Sequence, residues 1–561
     1  FVSVSLPSID YRNFKAMDSK GSQNEGAADP YEYIKRDLFT SEKFKIEVHN
    51  VPKYCSVKQF KRLLEKKFNL HAHKIKPCGS DGRYIFVNFK SEDDKQKGLK
   101  VLNGFNWKNA KLFAKPAQPI ADPIVCNKLV IHAADASETI EEQIQNATTP
   151  LFNLTIDEQH EKKQLDVKEV MKNYGNKVKK LNVELMPWIQ TNKKQFDGSC
   201  CQILSILPSP NNYGYRNKCE FTIGKQPKSG EVVVGFRLAS YKAGSMGVAT
   251  IYHLAHISDE MKQVVKIFEG YLRRCSLSPY DPSTYQGHWR QLTVRTTVDH
   301  DVMVVAVLHP QELSEDQITS IKTELKELFA PERSVKSVYL QRQGRKSSLK
   351  SDQYDLISGE SHLIERLSRF KFRVSPESFF QINTLAAETL YQTVQEMAGL
   401  DSQTSLLDVC CGTGTIGIFL SQFVGEVLGV DIIPEAVNDA KFNCSLNNVT
   451  NCKFYDGKAE SLLPLMINRV KYPDNVIAVL DPPRAGLHSR TISALRRADK
   501  LKTLVYLSCD PKLATQNFLD LARPTSNTYP GAPFVPVSVV PVDMFPHTPH
   551  YELVILFKRH V

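Results

Sequence analysis

The sequence predicts an α/β protein with three folded parts, of which the last is a doubly wound, largely parallel sheet. From about residue 372 onward, short Val/Leu/Ile-rich strands alternate with helical segments, and this alternation is typical of a parallel sheet covered by helices. A glycine-rich turn follows the first of these strands. Upstream, short apolar β-rich runs recur between residues 217 and 309 without that alternation. A chain of 561 residues has room for several domains of about 100–200 residues each.

The predicted organisation has five parts. They are a polar, disordered lead over residues 1–40, a compact basic α/β domain over 41–116, a proline-containing linker over 117–164, a central α+β domain with an antiparallel sheet over 165–371, and the α/β domain over 372–561. The order in which strand-rich and alternating segments follow one another supports this division.

The positive charge of the chain is concentrated near its N-terminus. Residues 41–116 contain 18 basic and 7 acidic side chains, which account for the whole net charge of +11. A concentrated basic surface favours a polyanionic partner, with RNA, DNA and an anionic membrane as candidates, while a solvated lysine-rich face is the alternative.

Composition also bounds the compartment and the metal content. The cysteines show no CxxC and no zinc or iron–sulfur spacing, so no metal is predicted. There is no run of about 18 apolar residues and no signal-like apolar core at the start, so we expect no membrane span. These features favour a reducing compartment, the cytosol and/or the nucleus.

The basic domain follows the pattern strand, helix, strand, strand, helix, strand. Its stretch GRYIFVNF (Gly82–Phe89) resembles the longer signature of the RNA-recognition motif (RRM), with Gly82 and Arg83 in swapped order. Tyr84 and Phe86 share one strand face and, with Arg83, would form a stacking platform for unpaired bases. Glu47 stands where an aromatic usually stacks. The alternative is an RRM-like fold that contacts protein.

A stretch with a basic and aromatic character opens the β-rich part of the central domain. It is YRNKCEF (Tyr215–Phe221). This stretch either contacts RNA or simply begins a strand, and the sequence favours neither alternative.

The glycine-rich turn is a candidate cofactor site. LLDVCCGTGTIG (Leu406–Gly417) is an apolar strand, a turn and the start of a helix, in which Gly412 and Gly414 let the backbone approach a ligand. Asp431, 19 residues beyond Gly412, ends the next strand and would bind ribose hydroxyls. This spacing alone does not separate a dinucleotide from S-adenosylmethionine (SAM).

The strands downstream of the turn decide between those cofactors. Seven can be drawn and the last two form a hairpin-like pair, which resembles the seven-stranded, Rossmann-like SAM methyltransferase fold and is not typical of a dinucleotide fold. The predicted strands are Ser405–Val409, Glu426–Val430, Lys453–Tyr455, Asn475–Leu480, Thr503–Ser508, Pro536–Val542 and Tyr551–Phe557.

Three segments follow or begin strands at the ligand-binding edge of that sheet. LDPPRAG contains Asp481, YLSCDP contains Cys509, and FPHTPHYE ends in Glu552. If the seventh strand runs antiparallel beside the fifth, Cys509 and Glu552 are spatial neighbours. Taken singly, a cysteine at a strand end is more often a small buried hydrophobe and a lone glutamate a surface carboxylate.

A cysteine and a carboxylate together fit one reaction well. Carbon 5 of uracil is a poor nucleophile until a thiolate adds at carbon 6, and a base must later remove the proton from carbon 5. The reaction needs no metal.

Five segments in order resemble the RNA uridine-5 methyltransferase family: SPESFFQIN, DVCCGTG, DPPRAG, SCDP and FPHTPHYE. The resemblance implies that Cys509 is the nucleophile, that Glu552 is the base, and that Gln381, Asp431 and Asp481 bind SAM. By their positions, the expected cofactor site also includes Gly412, Gly414 and Thr415. Two positions differ from bacterial relatives: Cys410 stands where an aromatic residue is common, and Thr415 where Asn is common.

The resemblance also implies an RNA substrate. An RRM before the catalytic part is typical of animal members that methylate tRNA at the T-loop uridine, position 54. Methylation of rRNA or another RNA is one alternative, and an RNA-binding adaptor or tRNA chaperone is another. A cytosine-5 enzyme would carry its cysteine in the fourth-strand loop, and an adenine-N6 enzyme would carry an aromatic where Arg484 stands.

Overall fold

The structure is a computed structural model that describes residues 42–52, 56–78, 84–118, 138–227, 229–238, 247–282, 284–344 and 353–560. The lead predicted over 1–40, Arg83 and most of the first half of the predicted linker lie outside the described residues. The described residues divide into two compact units, the first comprising those up to residue 138 and the second those within 139–238 and 247–560.

The first unit contains one four-stranded antiparallel sheet in the order β2-β3-β1-β6. Its elements are β1 (Lys45–His49), α1 (Val57–Phe68), β2 (Lys74–Cys78), β3 (Tyr84–Asn88), α2 (Glu92–Leu102), β4 (Asn106–Trp107), β5 (Ala110–Lys111) and β6 (Phe113–Pro116). Helix α1 begins where Ser56 and Gln59 form a capping box, which satisfies two otherwise free backbone N–H groups. Buried side chains of both helices, including Phe60 and Leu102, pack on Ile46 and Val48 of the sheet.

The second unit holds two large sheets. Its elements up to the first of them are α3 (Ile140–Thr148), α4 (Ile156–Leu181), α5 (Met186–Gln195), β7 (Gln202–Ile203), β8 (Lys218–Lys225), β9 (Val232–Arg237), β10 (Val248–Ala249), α6 (Asp259–Leu272), β11 (Trp289–Thr296), β12 (Val302–Leu308), α7 (Glu315–Phe329), β13 (Val335–Arg342) and β14 (Gln353–Gly359).

The elements that follow lead into and through the second sheet. They are β15 (Leu363–Leu367), β16 (Phe370–Val374), α8 (Thr384–Ala398), β17 (Ser405–Val409), α9 (Thr415–Leu420), β18 (Glu426–Asp431), α10 (Pro434–Leu446), β19 (Cys452–Asp456), α11 (Ala459–Asn468), β20 (Val476–Leu480), α12 (Ser489–Arg497), β21 (Leu501–Ser508), α13 (Pro511–Ala522), β22 (Phe534–Val542) and β23 (Glu552–Arg559).

The central sheet has seven strands in the order β10-β9-β8-β11-β12-β13-β14. The sequence predicted an antiparallel sheet, and this holds for every pair except β12 and β13, which are parallel. Helix α7 lies between these two strands in the chain, and a helical crossover of this length is what parallel neighbours require.

The C-terminal sheet has the order β19-β18-β17-β20-β21-β23-β22-β7. Five neighbouring strands, β17 to β21, run parallel, and β23 lies antiparallel between β21 and β22. The sequence predicted seven strands, but the sheet has an eighth, because the two-residue strand β7 from far upstream pairs with β22. A strand of two residues carries too little periodicity to be recognised.

The segment upstream of β7 also departs from the predicted boundaries. The linker predicted over 117–164 is helical from Ile140, and its last residues belong to α4. The apolar face of α4, which includes Val167, Met171 and Tyr174, packs into the core of the C-terminal sheet. Residues assigned to a linker and to the central domain therefore help to build the second unit.

Candidate functional site

The glycine-rich turn after β17 opens toward the edge where parallel strands end. A side chain at Gly412, where φ is +52°, would meet nothing within 4 Å. At Gly414, where φ is +79°, a Cβ would lie 2.9 Å from both Ala440 and Phe454. Gly414 is therefore required by packing and backbone conformation, whereas Gly412 borders open space into which a ligand can fit.

Asp431, the last residue of β18, is fixed beside this turn. Its Oδ2 accepts a hydrogen bond from the Gly412 amide at 3.0 Å, and its Oδ1 accepts one from the Ile433 amide at 2.9 Å. Thr415 starts helix α9, and its hydroxyl lies 3.5 Å from that of Tyr391. The turn, Asp431 and Thr415 thus form one small polar cradle.

Buried carboxyls gather at the same edge. Burial raises the pKa of Asp481, directly after β20, to about 7. Burial also raises the pKa of Asp408, within β17, to about 7 despite the Gly417 amide donating to its Oδ2 at 2.9 Å. Burial and the charge of Asp481 raise the pKa of Glu552 well above its ordinary value, an effect that the Arg484 cation opposes. Such clusters of shifted acids are typical of functional sites.

Cys509 and Glu552 lie opposite one another, as the sequence predicted. Strands β21 and β23 pair antiparallel with Ser508 opposite Leu553, so the next residues outward are Cys509 and Glu552. Directly opposed residues in such a pair have Cα atoms about 4.5–5.5 Å apart. A thiol and a carboxyl thus face the same space at the ends of these strands.

The surroundings of Cys509 have opposite effects on the pKa of its thiol. Burial raises the pKa of its thiol to about 12, and the neighbouring Glu552 acts in the same direction. The Arg484 guanidinium donates a hydrogen bond to the sulfur and lowers the pKa. Arg484 and Cys509 lie in two loops 25 residues apart, and no local sequence pattern indicates their contact.

Gln381 lies in a segment that Asn217, just before β8, holds by hydrogen bonds. Gln381 is buried, and its backbone oxygen accepts a hydrogen bond from Asn217 Nδ2 at 2.8 Å. The Asn217 amide donates to the Ile382 oxygen at 2.8 Å, and the buried Tyr215 donates to the Pro546 oxygen at 3.0 Å. The stretch that begins at Tyr215 therefore holds two site segments in place and then starts β8.

The open face of the first unit carries the aromatic side chains that the sequence singled out. Tyr84 and Phe86 lie edge to face at 5.7 Å, and the His49 ring stacks on Tyr84 at 5.0 Å. The Lys45 ammonium lies 4.2 Å from the Phe86 ring centroid. Glu47, in their midst, accepts from His49 at 3.0 Å and from Lys115 at 3.2 Å, so its charge is neutralised within the face.

Neither a metal-binding cluster nor a membrane-spanning helix occurs in the described part of the chain. No group of three or more His, Cys, Asp or Glu side chains there is arranged to hold a metal ion. None of the described helices combines the length and apolar character needed to cross a bilayer.

The fold and site define a class I type methyltransferase arrangement, and comparison with known proteins identifies the family. The family model for tRNA (uracil-5-)-methyltransferase matches residues 279–560. The chain is 40% identical to human tRNA (uracil-5-)-methyltransferase homolog A over 99% of this chain and 90% of that protein. It is 37% identical to mouse homolog B over 75% of this chain and 86% of that protein. The chain belongs to the tRNA (uracil-5-)-methyltransferase family.

Among solved structures, this chain is similar to the Pyrococcus abyssi tRNA (uracil-54, C5)-methyltransferase in complex with S-adenosyl-L-homocysteine. The two are 24% identical, the match covers 67% of this chain and 83% of that chain, and the TM-score is 0.49. By its family, this chain is an enzyme that methylates tRNA with SAM as methyl donor. The cradle suits that donor, because open space at Gly412 adjoins the fixed carboxylate of Asp431.

Proposed function

We propose that this enzyme methylates carbon 5 of the T-loop uridine, position 54, of tRNA through a covalent adduct with Cys509. The observation that carries the proposal is the register of β21 and β23, which sets the Cys509 thiol opposite the Glu552 carboxyl. One group that attacks the ring and one that takes a proton from it are what uridine-5 methylation needs.

In the proposed site Gln381, Asp431, Asp481, Gly412, Gly414 and Thr415 hold SAM. When bound, the donor would supply an electrophilic methyl group for carbon 5 of the base. Asp431 suits ribose hydroxyls, because its two oxygens are already oriented by backbone amides. Asp481 is near enough to Glu552 and Cys509 for its charge to raise the pKa of both groups.

Cys509 opens the reaction. Its thiolate attacks carbon 6 of the uracil, a sulfur–carbon bond forms, and the electrons of the 5,6 double bond move to the oxygen on carbon 4. Carbon 5 is then nucleophilic. The thiol gives its proton to solvent, and the Arg484 guanidinium, which donates to the sulfur, stabilises the resulting thiolate.

Glu552 closes the reaction. After carbon 5 carries its new methyl group, the Glu552 carboxylate takes the proton from that carbon. The electrons of the broken C–H bond restore the double bond, the sulfur–carbon bond breaks, and the Cys509 thiolate leaves. The buried position of Glu552 keeps bulk water from competing for this proton.

The first unit would supply RNA affinity. Its strand order and its face of Tyr84, Phe86 and His49 support an RRM-like domain that stacks unpaired bases.

The test uses tRNA with 5-fluorouridine at position 54, because fluorine cannot leave as a proton and the adduct persists. Wild-type enzyme with SAM should form a denaturation-resistant protein–RNA band, and Cys509→Ala should form none. Cys275→Ala, which changes another partly exposed free cysteine, is the matched control and should form the band. A band with Cys509→Ala, or none with wild type, refutes the adduct.

Nucleoside mass spectrometry identifies the target. With labelled SAM, 5-methyluridine should appear in tRNA carrying uridine 54 and not in tRNA carrying cytidine there. If the label appears in rRNA fragments and not in tRNA, the substrate is not tRNA and the proposal is wrong.

A further inference from the structure

Helix α4 carries three polar side chains on one face. Gln159, Lys163 and Asp166 are spaced four and three residues apart, which places them on one side of a helix. The first two are buried, with 0% and 1% of their surface exposed. A lysine and a glutamine are rarely buried without partners.

Lys163 holds the segment that follows β22. Its ammonium lies 2.6 Å from Asp543 Oδ1 and 3.2 Å from the Phe545 oxygen, and His160 Nε2 lies 3.0 Å from the other Asp543 oxygen. Asp543 is fully buried. The carboxylate that begins the loop to Glu552 is therefore bound from two positions of α4.

Gln159 holds the middle of the same loop. Its Oε1 accepts from the His547 amide at 2.7 Å, and its Nε2 lies 3.2 Å from His547 Nδ1. The Leu151 amide, just before α4, donates to the His547 oxygen at 2.9 Å. His547 has a positive φ of 66°. Hydrogen bonds to both its backbone N–H and its backbone C=O hold the turn at this residue.

Asp166 connects the two catalytic segments. Its Oδ1 accepts from Lys512 Nζ at 2.6 Å, and its Oδ2 accepts from the Tyr551 hydroxyl at 2.8 Å. Lys512 is the third residue after Cys509, and Tyr551 immediately precedes Glu552. One carboxylate on α4 thus ties together the segments that carry the nucleophile and the base.

We propose that α4 is a positioning element of the active site, in which Gln159, Lys163 and Asp166 fix the distance between Cys509 and Glu552. The inference rests on the proposed roles of those two residues. Because turnover falls steeply when reacting groups move by even about 1 Å, loosening this link lowers kcat more than it lowers stability.

Tyr551→Phe tests the link, because it removes the bond to Asp166 and keeps the buried ring. Tyr174→Phe is the matched control, since Tyr174 is a buried tyrosine of α4 whose hydroxyl donates to the Phe518 oxygen of α13 at 3.3 Å and takes no part in the link that Asp166 makes with Lys512 and Tyr551. Each change removes one hydroxyl hydrogen bond between α4 and the C-terminal part, so both should lower Tm by similar amounts.

The measured quantities are kcat, KM for tRNA, Kd for SAM and Tm of the full-length enzyme. Tyr551→Phe and Asp166→Asn should lower kcat about tenfold or more, with KM and Kd within twofold of wild type, while Tyr174→Phe keeps kcat. Equal kcat values in Tyr551→Phe and Tyr174→Phe overturn the proposal. If wild type methylates tRNA but forms no adduct with 5-fluorouridine RNA, the covalent mechanism fails, and the kcat comparison still decides the role of α4.

Discussion

At the scale of single residues, burial gives Glu552 and Cys509 properties that neither side chain has in water. Burial and the nearby Asp481 make Glu552 a weaker acid, and burial makes Cys509 a weaker acid as well. A carboxylate with a raised pKa is a stronger base, which suits the removal of a proton from carbon. Arg484 lowers the pKa of both groups and so favours their ionised forms.

Glu552→Gln separates the two chemical steps. The amide keeps the size of the side chain but cannot accept the proton, so we expect covalent adduct with natural uridine RNA to accumulate while release of 5-methyluridine slows about 10²–10⁴-fold. Quenched-flow sampling on denaturing gels measures both.

The control for that variant is Glu269→Gln, which changes a buried glutamate that accepts from the Val234 amide and the Tyr252 hydroxyl in the central sheet region. It should keep both rates near wild type. Normal turnover of Glu552→Gln would remove Glu552 from the role of base.

At the scale of elements, strand alternation divides the first unit into a core face and an open face. Ile46 and Val48 point into the core, so Glu47 and His49 lie on the other side with their register partners Phe86 and Tyr84. Strand β2 adds the exposed Lys74 and Lys76 to that side. The face thus combines stacking rings with cations, and removing the rings or the cations should affect RNA binding in different ways.

Removing the rings should weaken binding without changing its salt dependence. Tyr84→Ala with Phe86→Ala removes two stacking surfaces and no charge, so we expect tRNA affinity to fall roughly 10–100-fold at an unchanged slope of log Kd against log salt. Fluorescence anisotropy at several salt concentrations measures both quantities.

Removing the lysines of the same face should change the salt dependence of tRNA binding. Lys74→Ala with Lys76→Ala should reduce the salt slope by about 1 to 2. The matched pair Lys61→Ala and Lys66→Ala, exposed on helix α1, should leave slope and affinity near wild type. Equal effects of the two lysine pairs would show that the open face is not the RNA-binding face.

At the scale of the whole molecule, several buried carboxyls link folding to pH. Burial raises the pKa of Asp408, Asp481 and Glu365 to about 7. A carboxyl with a raised pKa stabilises the folded state at low pH, and that contribution is lost as pH rises from its unfolded pKa, near 4, to its folded pKa, near 7. These groups therefore lower the free energy of unfolding over that interval.

Asp408→Asn should flatten this dependence. Asn can still accept the Gly417 amide that Asp408 accepts but does not ionise, so the decline in unfolding free energy between about pH 4 and 7 should shrink by roughly 1–3 kcal/mol. Urea unfolding at a series of pH values measures it. Asp474→Asn, at an exposed aspartate, should leave the curve unchanged. An unchanged curve for Asp408→Asn would mean that folding does not raise the pKa of Asp408.

The sequence by itself determined the parts of this protein whose signals are local. Short apolar runs located most strands of the C-terminal sheet, and the glycine-rich turn located the cradle, because these signals depend on a few neighbouring residues. The antiparallel last strand, which puts Cys509 opposite Glu552, was expected from the resemblance to the methyltransferase fold.

Only the tertiary structure decided the parts that depend on packing between distant segments. Lys163 and Asp543 pair across 380 positions, β7 joins the sheet from far upstream, and β12 and β13 are parallel within an otherwise antiparallel sheet. The sequence placed Lys163 at the end of a proline-containing linker, where a lysine is ordinarily solvated. Its partner exists only once the core of α4 has packed on the sheet, so no local pattern could reveal it.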